Sequence, residues 1–255
     1  MRLVLLQILI ATTVLSGCRA DKMDQQPTSS IKADGTSQAN VEANDSKEEF
    51  AASSSDTVLE DLLSPAAEPF AETYVPPAKG TIFTYHNNWA SLPKVIKYKV
   101  SGQEVIGRTK YLKLTSVEGL KTPVHAYYDM KNFNLKGYRA TSGKALVTFK
   151  PAEQRYRFPL KPGNRWVTSW RSKDHAKDAV TSGGGVVQVE RFETLKLAGG
   201  VYRTVKVRLP VQKNGLQGLR HHVWFSPELG VTVKEQITGR GMNWTQVLEK
   251  VEHSG

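Results

Sequence analysis

Apolar and polar residues alternate along several stretches of the chain after Lys79. In the clearest stretches, 96–100, 201–209 and 231–237, apolar residues recur at every second position with few exceptions. A period of two places successive side chains on opposite faces of a strand, so each stretch predicts a strand with one buried face. Residues 244–251 fit a helix or a strand, and the Gly-Arg-Gly just before them favours a strand that follows a hairpin turn.

Turn residues separate these stretches. Pro162-Gly163, Asn214-Gly215 and Pro227–Gly230 are typical of tight turns, and Gly183–Gly185 is interpreted as a glycine-rich turn without the spacing of a phosphate loop. Many short strands joined by tight turns predict an all-β fold, either an antiparallel β-sandwich or a partly closed barrel. A region of this length is long enough to bury one core.

The start of the chain has a different pattern. Arg2 precedes a short apolar run, and Leu-Ser-Gly-Cys ends at Cys18, the chain's single cysteine. The layout is typical of a secretory signal, and the run is shorter than the ~20 apolar residues of a membrane-spanning helix. Leu-Ser-Gly-Cys resembles the bacterial lipoprotein signal. The resemblance implies that residues 1–17 are a cleaved signal peptide and that Cys18 carries acyl chains, whereas the alternative is a plain secretory signal with a chance cysteine.

Charge divides the rest of the chain into two parts. Residues 19–78 hold four basic and twelve acidic residues, whereas residues 79–255 hold thirty basic and twelve acidic ones, a net charge of +18. The acidic part has few large apolar residues and predicts a disordered acidic linker over 18–74, followed by a basic β domain over 75–255. Within the linker, residues 56–63 have the pattern of a short helix, which is either transient or a docking element.

Three segments of the basic domain resemble a known family. They are FPLKPGNRW at 158–166, LAGGVYRTVKV at 197–207 and HHVWFSPELGVTVKE at 221–235. These motifs resemble the TapB-like domain of exported bacterial proteins, which is β-rich and has no assigned activity. The resemblance implies a β fold and an exported location, and it implies no chemistry.

One pair of residues is a candidate for catalysis. If the turn at Pro227 pairs Phe225 with Val231, His221 lies opposite Glu235 on the mostly apolar face of the hairpin. Such a pair is either an acid/base couple or a structural cross-strand contact, and the absence of a nucleophile motif favours the structural contact. His221 and His222 point to opposite faces of one strand, so the two side chains cannot bind the same metal ion. We expect no metal site and no cofactor.

The opposite face of the same strands is a candidate binding surface. We expect it to combine basic and aromatic side chains, namely Tyr202, Lys206, Arg208, Arg220, His222, Trp224 and Lys234. A surface of this composition suits an anionic lipid, an acidic glycan or an envelope protein, and nucleic acid is not expected in an exported protein. The alternative is a solvated or covered sheet face.

Together these patterns predict a non-catalytic, lipid-anchored envelope protein that binds an anionic component or a partner protein. The alternatives are a periplasmic hydrolase that uses His221 and Glu235, and a carrier that holds an acyl chain in its barrel. Arg19, rather than Asp, follows Cys18. Because Asp at that position resembles an inner-membrane retention signal, the expected location is the outer membrane, facing the periplasm.

Overall fold

The computed structural model describes residues 71–89, 92–211 and 218–253. Several predicted features lie outside the described residues: the signal peptide 1–17, Cys18, the linker up to residue 70, the segment 56–63 and the turn Asn214-Gly215. In the described part of the chain, no helix is long and apolar enough to cross a membrane.

The described residues form twelve antiparallel strands and no helix. The strands are β1 (Ile82–Asn87), β2 (Val95–Ile106), β3 (Thr109–Glu118), β4 (Val124–Asp129), β5 (Leu135–Ala140), β6 (Ala145–Glu153), β7 (Arg165–Asp174), β8 (Ala179–Leu197), β9 (Gly200–Leu209), β10 (Arg220–Ser226), β11 (Val231–Gly239) and β12 (Met242–Glu252). Each strand pairs with its neighbours in sequence, and β1 pairs with β12. The all-β antiparallel prediction is confirmed, and the sheet is a closed barrel rather than a sandwich.

The width of the barrel sets how its interior is filled. A barrel of about eight strands has an interior that side chains can fill, and the diameter grows with the number of strands. Three of the tryptophans, Trp166, Trp170 and Trp244, are buried in this barrel. The buried valines of β8 to β11, which are Val187, Val189, Val205, Val207, Val223, Val231 and Val233, pack on one side, whereas tyrosines on the other side line a cavity.

Gly183–Gly185 lie inside β8, so the predicted glycine-rich turn is wrong. Gly183 pairs with Trp170 of β7, and a Cβ atom on Gly183 would lie 2.4 Å from Cζ2 of the Trp170 ring. Real Cβ atoms do not approach other atoms that closely. The glycine therefore leaves the space that the indole ring occupies.

An aromatic cluster closes one end of the barrel. Its members are Tyr74, Tyr128, Phe133, Tyr156, Phe158 and Phe225. Phe225 is fully buried, and its ring centroid lies 4.7 Å from that of Tyr156. Ala71 and Tyr74, which the sequence assigns to the linker, are buried here, and the backbone of Ala71 accepts a hydrogen bond from Leu160. The chain before β1 therefore contributes to the closed end.

The β8–β9 hairpin continues past the end of the β9–β10 pairing. Its tip lies against β12, because a Cβ on Gly199 would be 2.7 Å from the carbonyl oxygen of Glu249. In this part of β9 the exposed and buried faces are reversed from the predicted ones: Val201 is 66% exposed, whereas Tyr202 is buried. The alternating sequence pattern did not predict the reversal, because the prediction assumed that the same face of β9 is buried along the whole strand.

Candidate functional site

The β10–β11 hairpin places the candidate catalytic pair differently from the prediction. His221 lies opposite Ile237, and Glu235 lies opposite Val223. The predicted register is wrong by two residues, because the turn is one residue tighter than assumed and a β-bulge follows Trp224. A shift of two residues keeps both side chains on the same face of the sheet.

His221 and Glu235 nevertheless meet inside the barrel, as diagonal neighbours. Nε2 of His221 lies 2.7 Å from Oε1 of Glu235. His221 is 4% exposed and Glu235 is 9% exposed. The predicted contact between the two side chains is therefore present, although the strand register that predicted it is not.

Arg155 joins this pair, and the sequence analysis missed it. Its Nη1 donates to Oε1 of Glu235 at 3.1 Å, and its Nε donates to Oε2 of Glu153 at 3.0 Å. Arg155 follows the end of β6 in the polar run Glu153-Gln154-Arg155, a composition that is typical of a solvated loop. No sequence signal distinguishes it from the other arginines of this basic domain.

The charges in this buried cluster stabilise one another. Burial raises the pKa of Glu235, but the Arg155 guanidinium and the hydrogen bond from His221 outweigh burial and bring that pKa to about 2. Burial lowers the pKa of Arg155, but Glu153 and Glu235 outweigh burial and hold it well above its ordinary value. Arg155 thus carries its charge between the carboxylates of Glu153 and Glu235.

We expect the folded state to lose stability in acid through Glu235. Its pKa is depressed on folding, so its stabilising contribution is present above its ordinary pKa of 4.5 and is lost as the pH falls towards about 2. A shift of this size corresponds to about 3 kcal/mol. Urea unfolding at a series of pH values measures the loss.

Two variants separate Glu235 from the other carboxylates. Glu235→Gln should have a lower free energy of unfolding at pH 7 and a flatter decline below pH 4.5. Glu249→Gln, which changes an exposed carboxylate, should decline as the unmodified protein does. Equal slopes for Glu235→Gln and the unmodified protein would show that Glu235 does not drive the acid loss.

A cavity of about 140 Å³ lies inside the barrel beside this cluster. Besides Arg155 and Glu235, it is lined by five tyrosines, Tyr85, Tyr98, Tyr128, Tyr138 and Tyr156. It extends from the aromatic cluster to Leu92, which lies in the loop between β1 and β2, and to Trp244. The cavity therefore combines aromatic walls with a buried ion pair.

The tyrosine hydroxyls fall into two groups. Tyr85 donates to the carbonyl oxygen of Thr232 at 2.9 Å, and the Tyr156 hydroxyl lies 2.6 Å from Oγ1 of Thr232. Within the described residues, the hydroxyls of Tyr98, Tyr128 and Tyr138 have no hydrogen-bond partner. Burial raises the pKa of Tyr128 to about 12, so its hydroxyl is protonated at neutral pH.

In this arrangement Glu235 accepts hydrogen bonds and is not an acid at neutral pH. Glu235 is ionised and shared between His221 and Arg155, so it has no proton to give at neutral pH. In the described chain, no serine, threonine or cysteine side chain makes a hydrogen bond to His221. The described residues also bring together no three His, Cys, Asp or Glu side chains that could hold a metal ion.

The predicted binding surface lies on the outside of β9, β10 and β11, but two of its aromatic members are covered. Trp224 is 4% exposed and lies between Lys206 and Lys234, whose Nζ atoms are 5.2 and 4.5 Å from the centre of its ring. Tyr202 is 8% exposed and donates to the carbonyl oxygen of Gly199 at 2.7 Å. Neither ring is free to stack on a ligand.

Acidic residues of β8 pair with the basic members of this surface. Glu190 lies 3.4 Å from Nζ of Lys206 and 3.3 Å from Nε2 of His222. Glu193 accepts a hydrogen bond from Trp224. Two further members complete the predicted surface: Arg208, which donates to Gln188 at 2.6 Å, and Arg220, which is exposed. The surface has mixed charge because β8, which the sequence analysis did not place, lies beside it.

A different face of the barrel combines exposed apolar and basic side chains. We call it the valine–arginine face, and it consists of Val167, Val180, Val186, Arg165 and Arg171 on β7 and β8. Val167 is 76% exposed and lies opposite Val186, which is 49% exposed. Among the described residues, no carboxylate lies within ion-pair distance of Arg165 or Arg171. The sequence pattern missed this face because its outward-pointing valines look like core residues.

Comparisons with known proteins give weak structural likenesses. No protein-family model and no curated protein matches the chain, so no such match supports the TapB-like resemblance. A candidate exported protein with a YmcC-like fold from Bacteroides fragilis is 15% identical, with 71% of this chain and 99% of that chain covered and a TM-score of 0.46.

Two further solved structures are similar at the same level. A candidate lipoprotein from Parabacteroides distasonis is 14% identical, covers 71% of this chain and 99% of its own, and has a TM-score of 0.42. The hypothetical lipoprotein YmcC from Escherichia coli is 13% identical, covers 69% and 89%, and has a TM-score of 0.40. These names apply to the neighbouring proteins. With TM-scores below 0.5, the likenesses assign no property to this chain.

Proposed function

We propose that this protein is a non-catalytic, membrane-tethered binding protein of the bacterial envelope, and that its valine–arginine face contacts anionic lipid headgroups. The observation that supports the proposal is the exposure of Val167, Val180 and Val186 beside Arg165 and Arg171. A guanidinium group donates two parallel hydrogen bonds to one phosphate group. Exposed apolar side chains suit the boundary between headgroups and acyl chains.

The sequence supports the same setting. An acylated Cys18 and an acidic linker would hold the basic domain close to a bilayer, which raises its effective concentration at the headgroups. The net charge of +18 over residues 79–255 attracts the domain to an anionic surface. The proposed location is the periplasmic face of the outer membrane.

The two alternative functions fit the geometry less well. A hydrolase that uses His221 and Glu235 lacks a hydroxyl or thiol hydrogen-bonded to His221 among the described residues, and Glu235 forms an ion pair with Arg155. An acyl-chain carrier needs a large apolar cavity. Here Trp166, Trp170 and Trp244 are buried in the barrel, and the remaining cavity of about 140 Å³ is lined with tyrosines and charged groups.

Vesicle co-sedimentation tests the proposal. The Cys18→Ser chain, in which no acyl group contributes, should bind phosphatidylglycerol vesicles and not phosphatidylcholine vesicles, and high salt should release it. Because each basic residue near an anionic bilayer contributes about 1 kcal/mol, the Arg165→Gln/Arg171→Gln variant should bind roughly thirtyfold more weakly.

A second pair of arginines provides the matched control. Arg108→Gln/Arg240→Gln removes the same charge from the exposed β2–β3 and β11–β12 turns, several strands away from the valine–arginine face. We expect this control to bind almost as the parent chain does. Equal weakening by both variants would leave only net charge as the cause, and unchanged binding by the Arg165 and Arg171 variant would rule out the proposed face.

A further inference from the structure

The cavity inside the barrel contains polar atoms that the described protein does not satisfy. The hydroxyls of Tyr98, Tyr128 and Tyr138 have no partner among the described residues. The same holds for Oε2 of Glu235, because both of its hydrogen bonds use Oε1. An apolar molecule would exclude water from these groups and leave them unpaired, which is costly, so the cavity suits an occupant with hydrogen-bonding groups.

One carboxylate oxygen in the cavity wall favours a cationic donor. The contacts of Glu235 with Arg155 and with His221 both use Oε1, so Oε2 has no partner among the described residues. This oxygen would repel an anion and attract a cation. Oε2 of the ionised Glu235 is an acceptor only, so it requires a donor from the occupant.

The aromatic walls favour the same chemistry. Five tyrosine rings line the cavity, and the electron-rich faces of aromatic rings attract ammonium groups. The volume of about 140 Å³ limits the occupant to a small molecule. We infer that the cavity binds a small organic ammonium ion, whose nitrogen lies between the tyrosine rings and Oε2 of Glu235.

Calorimetry with three probes of similar size tests the inference on the full chain. Ethanolamine is cationic at neutral pH, ethylene glycol is neutral and glycolate is anionic. Ethanolamine should bind with saturation at one site, and the other two should not. Binding of ethylene glycol or glycolate as tight as that of ethanolamine overturns the inference, as does the absence of binding by all three, which leaves a cavity filled by water alone.

Variants locate the binding in the cavity. Glu235→Gln removes the negative charge that Oε2 presents to the cavity and should weaken ethanolamine binding by about tenfold or more. Glu190→Gln removes a carboxylate from the outside of β8 and should leave the affinity unchanged. Far-ultraviolet circular dichroism confirms that each variant is folded.

A tyrosine variant keeps the test decisive if Glu235→Gln does not fold. Tyr138→Phe retains the ring and removes one hydroxyl that has no partner in the described protein, so the fold should tolerate it. Ethanolamine should bind this variant several-fold more weakly. An unchanged affinity for Tyr138→Phe, together with an unchanged or unmeasurable Glu235→Gln, overturns the assignment of the site to the cavity.

Discussion

We expect Arg155→Met to lower the free energy of unfolding by about 3–5 kcal/mol at pH 7. Methionine keeps much of the volume of the side chain but removes the charge that faces Glu153 and Glu235. Both carboxylates then remain buried, at 7% and 9% exposure, without their cation. Urea unfolding followed by tryptophan fluorescence measures the change.

The pH dependence distinguishes this electrostatic effect from simple loss of packing. The destabilisation by Arg155→Met should shrink as the pH falls, because protonation removes the unpaired negative charges. Arg208→Met, which changes an exposed arginine bonded to Gln188, should cost less than about 1 kcal/mol at any pH. A penalty for Arg155→Met that stays constant with pH would contradict the electrostatic explanation.

We expect Phe225→Ala to lower the free energy of unfolding by about 3–5 kcal/mol. Phe225 has no exposed surface, and its ring contacts four other rings of the aromatic cluster: Tyr74, Phe133, Tyr156 and Phe158. Alanine would leave a cavity where the chain before β1 and the turn between β4 and β5 meet the barrel. Thermal and urea unfolding both measure this loss.

Phe192→Ala is the matched control for Phe225→Ala. Phe192 lies in β8 and is 43% exposed, so its truncation should cost no more than about 1 kcal/mol. Because Phe225 holds Tyr74 in the closed end, Phe225→Ala should also speed proteolytic cleavage of the chain near Tyr74. Cleavage at the unmodified rate would show that the end stays closed without the Phe225 ring.

The strands were predictable where one face is buried and the other faces solvent. Alternation at 96–100 and 231–237 predicts β2 and β11, and it correctly assigns Tyr98 to the inward face. The register of β10 against β11 was not predictable, because the bulge after Trp224 leaves no mark in the sequence. Closure of the barrel depends on the pairing of β1 with β12, which no local pattern encodes.

The candidate site was predictable only in part. The contact of His221 with Glu235 follows from the hairpin turn and the face alternation, and it survives the register error. Arg155 is 80 residues from Glu235 along the chain, and its position in the barrel follows from tertiary structure alone. Exposed valines such as Val167 have the same residue type as core valines, so the pattern cannot separate them.

The contact between Trp170 and Gly183 has a consequence for how this protein evolves. Because the indole ring occupies the place of a side chain on the neighbouring strand, neither position can change alone. A larger residue at Gly183 is tolerated only if Trp170 becomes smaller, and loss of the indole leaves a gap beside Phe149. Homologous barrels should therefore show correlated substitution at these two positions, in which a larger residue at position 183 accompanies a smaller residue at position 170.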